Sequence, residues 1–68
     1  MDDKKMFSKR LVELRNKKKK TRAEVAAAVG ISISAVAMYE RGDRIPKDDV
    51  KRKLADFYGK SVAYIFFA

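Results

Sequence analysis

Apolar residues recur along this chain at helical spacing, and the breaks between the runs divide it into five helices. Phe7, Leu11 and Leu14 stand at i, i+4 and i+7, which gives an amphipathic helix of roughly three turns. Its other face is basic, with Lys9, Arg10, Arg15 and Lys17, and it ends in the run Lys17-Lys18-Lys19-Lys20. Ser8 is a cap by residue type, but the apolar series begins one residue earlier. Residues 1–5 are polar and expected to fray. Val25, Ala26 and Val29 share one face of a second helix, and Val36 with Tyr39 gives a third its inward side. Val50, Leu54, Phe57 and Tyr58 define a fourth helix over 47–58. Val62, Ile65 and Phe66 lie on a last short helix, from 62 to about 67, and close the core from below.

The second and third helices form one unit, residues 21–39. Thr21 followed by Glu24 is a capping box: the hydroxyl accepts from the Glu24 N–H, and the carboxylate reaches back to the Thr21 N–H. Ala23, Ala26, Ala27 and Ala28 favour helix and let a second helix approach closely. Gly30 falls where the helix must stop, since glycine enters the left-handed region cheaply. Ile31 plugs the angle of the turn, and Ser32 caps the next helix. A helix, a short glycine-containing turn and a second helix make a helix-turn-helix, whose second member can lie in the DNA major groove. An ordinary helical hairpin inside a small bundle shares the same local pattern.

Residues 40–46 read as a loop punctuated by Gly42 and Pro46, with Ile45 tucked inward and Arg41 and Arg44 forming a positive patch. Asp48 and Asp49 suit the first turn of the fourth helix, and Gly59 ends it. The stem of Lys51 lies along the core with its head in water. Ser61 caps the last helix, which leaves Tyr64 and Phe67 unassigned. They serve either as a homodimer contact or as packing against the first helix.

Composition narrows the chemistry. A chain of 68 residues, 47% hydrophobic, supports one folded domain with a small core. It has no cysteine and no histidine, so disulfides, thiolate or imidazole metal sites and Ser-His or Cys-His nucleophiles are excluded. No enzyme activity and no cofactor are expected. Seventeen Lys and Arg against nine Asp and Glu give a net charge of +8, which suggests a polyanion partner. No stretch is long enough to span a bilayer and the first ten residues lack a signal-peptide apolar run, so the expectation is a cytoplasmic protein with no membrane partner.

The linked features Lys9-Arg10-Leu11 through Leu14-Arg15, Thr21 to Ala26, Val29-Gly30-Ile31-Ser32, Tyr39-Glu40-Arg41-Gly42 with Ile45-Pro46, and Leu54-Ala55 with Gly59-Lys60-Ser61-Val62 occur in one order and spacing. In this the chain resembles the Cro/repressor-type helix-turn-helix DNA-binding domains of phage repressors and small bacterial regulators. The resemblance implies an all-α, compact five-helix domain spanning 1–68, with the motif at helices two and three and a recognition helix at about 33–40. It implies double-stranded DNA as partner, transcriptional regulation as function, and a bacterial or phage-encoded origin.

Residue by residue, the resemblance implies that Lys20, Thr21 and Arg22 meet phosphate at the start of the second helix. Arg22 stands where the family usually has glutamine. Ser32 caps the recognition helix, and Ile33, Ser34, Ala37 and Met38 face the groove. Arg41 and Arg44 brace the backbone on the far side, and Arg15 with Glu40 forms a structural ion pair. The recognition positions lack the Gln, Asn or Arg that make bidentate bonds to bases. Affinity should therefore derive mostly from phosphates, with a modest preference for thymine methyls. The apolar Ile33 and Met38 also suit a protein partner, which keeps open an antitoxin or anti-repressor module on the same scaffold. A charge-only RNA or membrane-surface binder is a third reading.

Overall fold

The computed structural model describes residues 6–67, so the fraying expected of residues 1–5 lies outside the described residues. Five helices follow one another: α1 (Met6–Lys18), α2 (Arg22–Val29), α3 (Ile33–Arg41), α4 (Asp48–Tyr58) and α5 (Ala63–Phe67). There is no strand among the described residues. The apolar stripes read from the sequence converge on one core of Phe7, Leu11, Val25, Ala26, Val29, Val36, Tyr39, Leu54, Ala55 and Ile65. Val25 and Ile65 are wholly buried. Leu14, Ile31, Val50, Phe57, Tyr58, Val62 and Phe66 pack around them. Phe7 of α1 meets Phe66 of α5 with ring centroids 5.7 Å apart, which joins the first helix to the last.

Local signals set most helix boundaries. The Thr21–Glu24 capping box forms in both directions, with bonds of 3.1 and 2.8 Å. The exposed Glu24 carboxyl titrates below its usual range, mainly because it accepts from the Thr21 N–H. Gly30 ends α2 at φ +81°, and its N–H bonds to the Ala26 carbonyl. Ser32 accepts from the Ala35 N–H to start α3. The axis of the chain then turns by 111° between α2 and α3, within the range of helix-turn-helix units.

Three features differ from the reading of the sequence. Ile45 is 58% exposed, and it is Pro46 that turns inward. Of the two neighbours, the one carrying no N–H to satisfy is the one buried. α5 is a single wide turn of π type rather than an α-helix. Five residues are too few to hold an α-helix alone, so the geometry follows the docking of Ile65, with Ser61 accepting from the Tyr64 N–H. α1 ends at a residue with no glycine to signal it: Lys19 adopts φ +58°, while the Lys20 N–H reaches back to the Arg15 carbonyl.

That left-handed lysine makes a prediction. A β-carbon is disfavoured in this region, so Lys19→Gly should be more stable than Lys19→Ala, which removes the same charge, by about 1 kcal/mol. Urea unfolding of the two variants measures the difference.

Candidate nucleic-acid interface

The outward face of α3 follows from its inward one. Val36, Tyr39 and Glu40 are buried. At 3.6 residues per turn, Ser34, Met38 and Arg41 fall within roughly 60° of one another on the opposite side, with Ala37 at their edge. Ser34 and Arg41 are exposed, and Ala37 and Met38 half-buried. Ile33, at the start of the helix, is 55% exposed. The five residues assigned to the groove and its rim thus form one continuous strip, exposed at Ile33, Ser34 and Arg41 and partly accessible at Ala37 and Met38.

One carboxylate aligns this strip with the rest of the molecule. The Glu40 side chain is 1% exposed. It accepts from Arg15 Nε at 2.7 Å and Nη2 at 3.0 Å, a two-point grip from α1. It also accepts from Arg22 Nε at 3.0 Å, from the first turn of α2. Arg15 completes the link by donating from Nη1 to the Lys20 carbonyl at 3.1 Å. Donating to the Glu40 carboxylate raises the Arg15 pKa above its already high usual value. Arg15 is therefore not part of α1's solvated basic face, as the sequence pattern suggested, but turns inward at 16% side-chain exposure.

Arg22, expected on phosphate, is shared. Its Nε serves Glu40, while its side chain remains 41% exposed at the start of α2. Thr21 and Ser32 use their hydroxyl oxygens as caps, so the hydroxyl protons are left to donate outward. Lys20 is half-buried beside them. Arg41 bonds to Asp43 at 2.8 Å, and both side chains are more than half exposed. Such a pair is weak and opens readily. Arg44 is exposed. The sequence reading missed the partners of Arg22 and Arg41. The second was visible as the i, i+2 spacing of Arg41 and Asp43; the first had no local signal.

Behind the interface, Tyr58 of α4 faces the same carboxylate. Its pKa is pushed up to about 12, chiefly by burial and then by the negative Glu40, against the opposing charge of Arg15. No group of acidic side chains among the described residues is arranged to hold a metal ion. No single helix among them is long and apolar enough to cross a membrane.

A helix pair at this angle, a second helix with an exposed outward face and capping hydroxyls at both N-termini define a helix-turn-helix DNA-binding domain. The chain belongs to the Helix-turn-helix family, whose pattern matches residues 11–65. It is similar to the cryptic phage CTXphi transcriptional repressor RstR of Vibrio cholerae, 36% identical over 58 residues, covering 85% of this chain and 52% of that protein. The chain thus spans about half the length of the relative it matches. No solved structure is a significant match.

Two predictions follow from the ion-pair network. Glu40→Gln leaves Arg15 without its counter-charge in a mostly buried site and should lower stability by roughly 3–5 kcal/mol. Arg22→Gln, at the exposed end of the network, should lower it by about 1 kcal/mol or less. Denaturant midpoints of both variants check the contrast. The second concerns pH. Tyr58 has a higher pKa folded than unfolded, so its contribution is fully present below pH 10.0 and is lost as pH rises towards about 12. Tyr58→Phe should therefore flatten the alkaline limb of the stability profile, read by thermal melts across that window.

Proposed function

We propose that this chain acts as a transcriptional repressor domain, binding duplex DNA with α3 in the major groove and two copies spanning half-sites about one helical turn apart. The observation that carries the reading is the outward strip of α3, exposed at Ile33, Ser34 and Arg41, together with the partly exposed Arg22 at the start of α2 and the exposed Arg44 beyond α3. Lys20, Thr21, Arg22, Ser32, Arg41 and Arg44 contact phosphates. Ile33, Ser34, Ala37 and Met38 meet base edges. A serine hydroxyl discriminates poorly among bases, and the three apolar residues pack on thymine methyls. Base contacts therefore confer modest specificity, and DNA shape adds the rest. Family membership and the repressor relative support a bacterial or phage-encoded, cytoplasmic, non-enzymatic regulator.

Dimerisation through α5 uses Phe67, 68% exposed, and Tyr64, 47% exposed. These rings carry cations: Lys51 lies 5.0 Å from the Phe67 centroid, and Arg10 and Lys60 lie 5.9 and 5.1 Å from that of Tyr64. Two copies meeting here bring like charges together. The exposed Ile33 and Phe67 also support a second reading, a protein-interaction module on the same scaffold.

Salt separates these contacts. DNA affinity should fall steeply as salt rises, with a log–log slope of about −0.9 for each phosphate neutralised, and Arg44→Gln should make that slope shallower by about one such contact. Self-association through α5 should strengthen over the same range, because screening relieves the repulsion. Fluorescence anisotropy on duplex DNA and sedimentation of the free protein measure the two. DNA binding that stays flat with salt contradicts the proposed function.

A further inference from the structure

The positive charge of this domain is not confined to the recognition side, where Arg15 and Arg22 share Glu40, Arg41 has Asp43, and Lys20 and Arg44 form no salt bridge among the described residues. Another surface is less neutralised. Two adjoining clefts of about 230 and 280 Å³ run between α1 and the end of α4 with α5. Leu14, Lys17 and Lys60 line both; Lys18 and Tyr58 line one, and Arg10, Glu13 and Tyr64 the other. Four cations thus face one carboxylate, and no salt bridge among the described residues uses any of the four.

Three of the four rest on aromatic rings. Lys18 Nζ sits 5.2 Å from the Phe57 ring, and Arg10 and Lys60 sit over Tyr64. Charges ordered in advance lose less freedom when an anion docks. The groove also lies apart from the recognition helix. Arg15 marks the flank of α1 that meets α3. Arg10, Leu14 and Lys17 stand roughly 100–160° around α1 from it, at 3.6 residues per turn, on the side facing α4 and α5.

We propose that this α1–α4/α5 groove is a second nucleic-acid site, taking the phosphodiester backbone of a duplex other than the one α3 occupies. A phosphate chain fits better than an acidic peptide. Peptide partners usually anchor an apolar or aromatic side chain in a desolvated pocket. Here the exposed ring of the groove, Tyr64, already carries Arg10 and Lys60, so the groove presents charge. Backbone contacts of this kind are independent of sequence. One domain would then bridge two duplex segments and hold them together.

The test uses bridging by the full chain. An immobilised random-sequence duplex captures a second, labelled duplex through the protein, and single-duplex affinity is measured in parallel by anisotropy. Random sequence makes a failure of operator recognition distinguishable from a failure of the groove. The combined variant Lys17→Gln, Lys18→Gln and Lys60→Gln should reduce capture of the second duplex on the order of tenfold, and reduce single-duplex affinity far less. The charge-conserving variant with arginine at the same three positions should retain capture, and circular dichroism melts establish that both are folded. Capture by the glutamine variant equal to that of the unmodified chain overturns the proposal. So does an equal loss of capture and single-duplex affinity, which would assign the groove to the first interface. Block of capture by poly-glutamate, with single-duplex binding untouched, overturns it in favour of an acidic protein partner.

Discussion

A buried carboxylate determines how this molecule is put together. Glu40 comes from α3, and the two guanidinium groups it accepts from come from α1 and α2. Burying an ionised carboxylate is unfavourable unless opposite charge and hydrogen bonds surround it. The planar fork of arginine meets that need at two points with one side chain. The arrangement satisfies the charge only when the three helices stand in one mutual orientation. It therefore selects an orientation more than it adds stability, and the orientation leaves Ser34, Met38 and Arg41 facing outward. The residue beside Glu40 in sequence is Arg41, so the structural anchor and the exposed basic position sit on consecutive residues of the same helix.

This coupling makes Arg22 informative. A glutamine in its place, usual in the family the sequence resembles, would carry no charge towards Glu40. Arginine does, and thereby adds a second counter-charge from the first turn of α2. Its Nε is committed to the protein while the side chain stays partly open. In the proposed complex it would meet a phosphate without leaving the network. The caps behave similarly: Thr21 and Ser32 begin the two helices of the motif with their oxygens and retain a proton to offer outward.

What was legible in the sequence was what depends on near neighbours. The capping box at Thr21 and Glu24, the left-handed Gly30 and the Ser32 cap each need only residues a few places apart, and each took its expected form. The core stripes were legible because helical spacing alone selects them. The Arg15–Glu40 pair lies 25 residues apart and came only through resemblance; helical spacing by itself had put Arg15 on the solvated face. The link from Arg22 to Glu40 had no such guide, because it depends on how two helices cross. Ile45 was misplaced because hydrophobicity favoured it for burial, whereas the loop geometry buries Pro46. The end of α1 was obscured because a lysine adopts the conformation that glycine usually marks. The roles of the exposed side chains towards DNA are read from their placement and the family.

The most direct test of the central claim is an amide and arginine Nε–Hε NMR titration of the domain with a short half-site duplex. The account predicts the largest shifts over residues 20–24 and 32–44, with the Arg15 and Arg22 Nε–Hε signals still protected from exchange in the complex. Shifts confined to α4 and α5 with α3 unmoved, or loss of both protected arginine signals on binding, would contradict it.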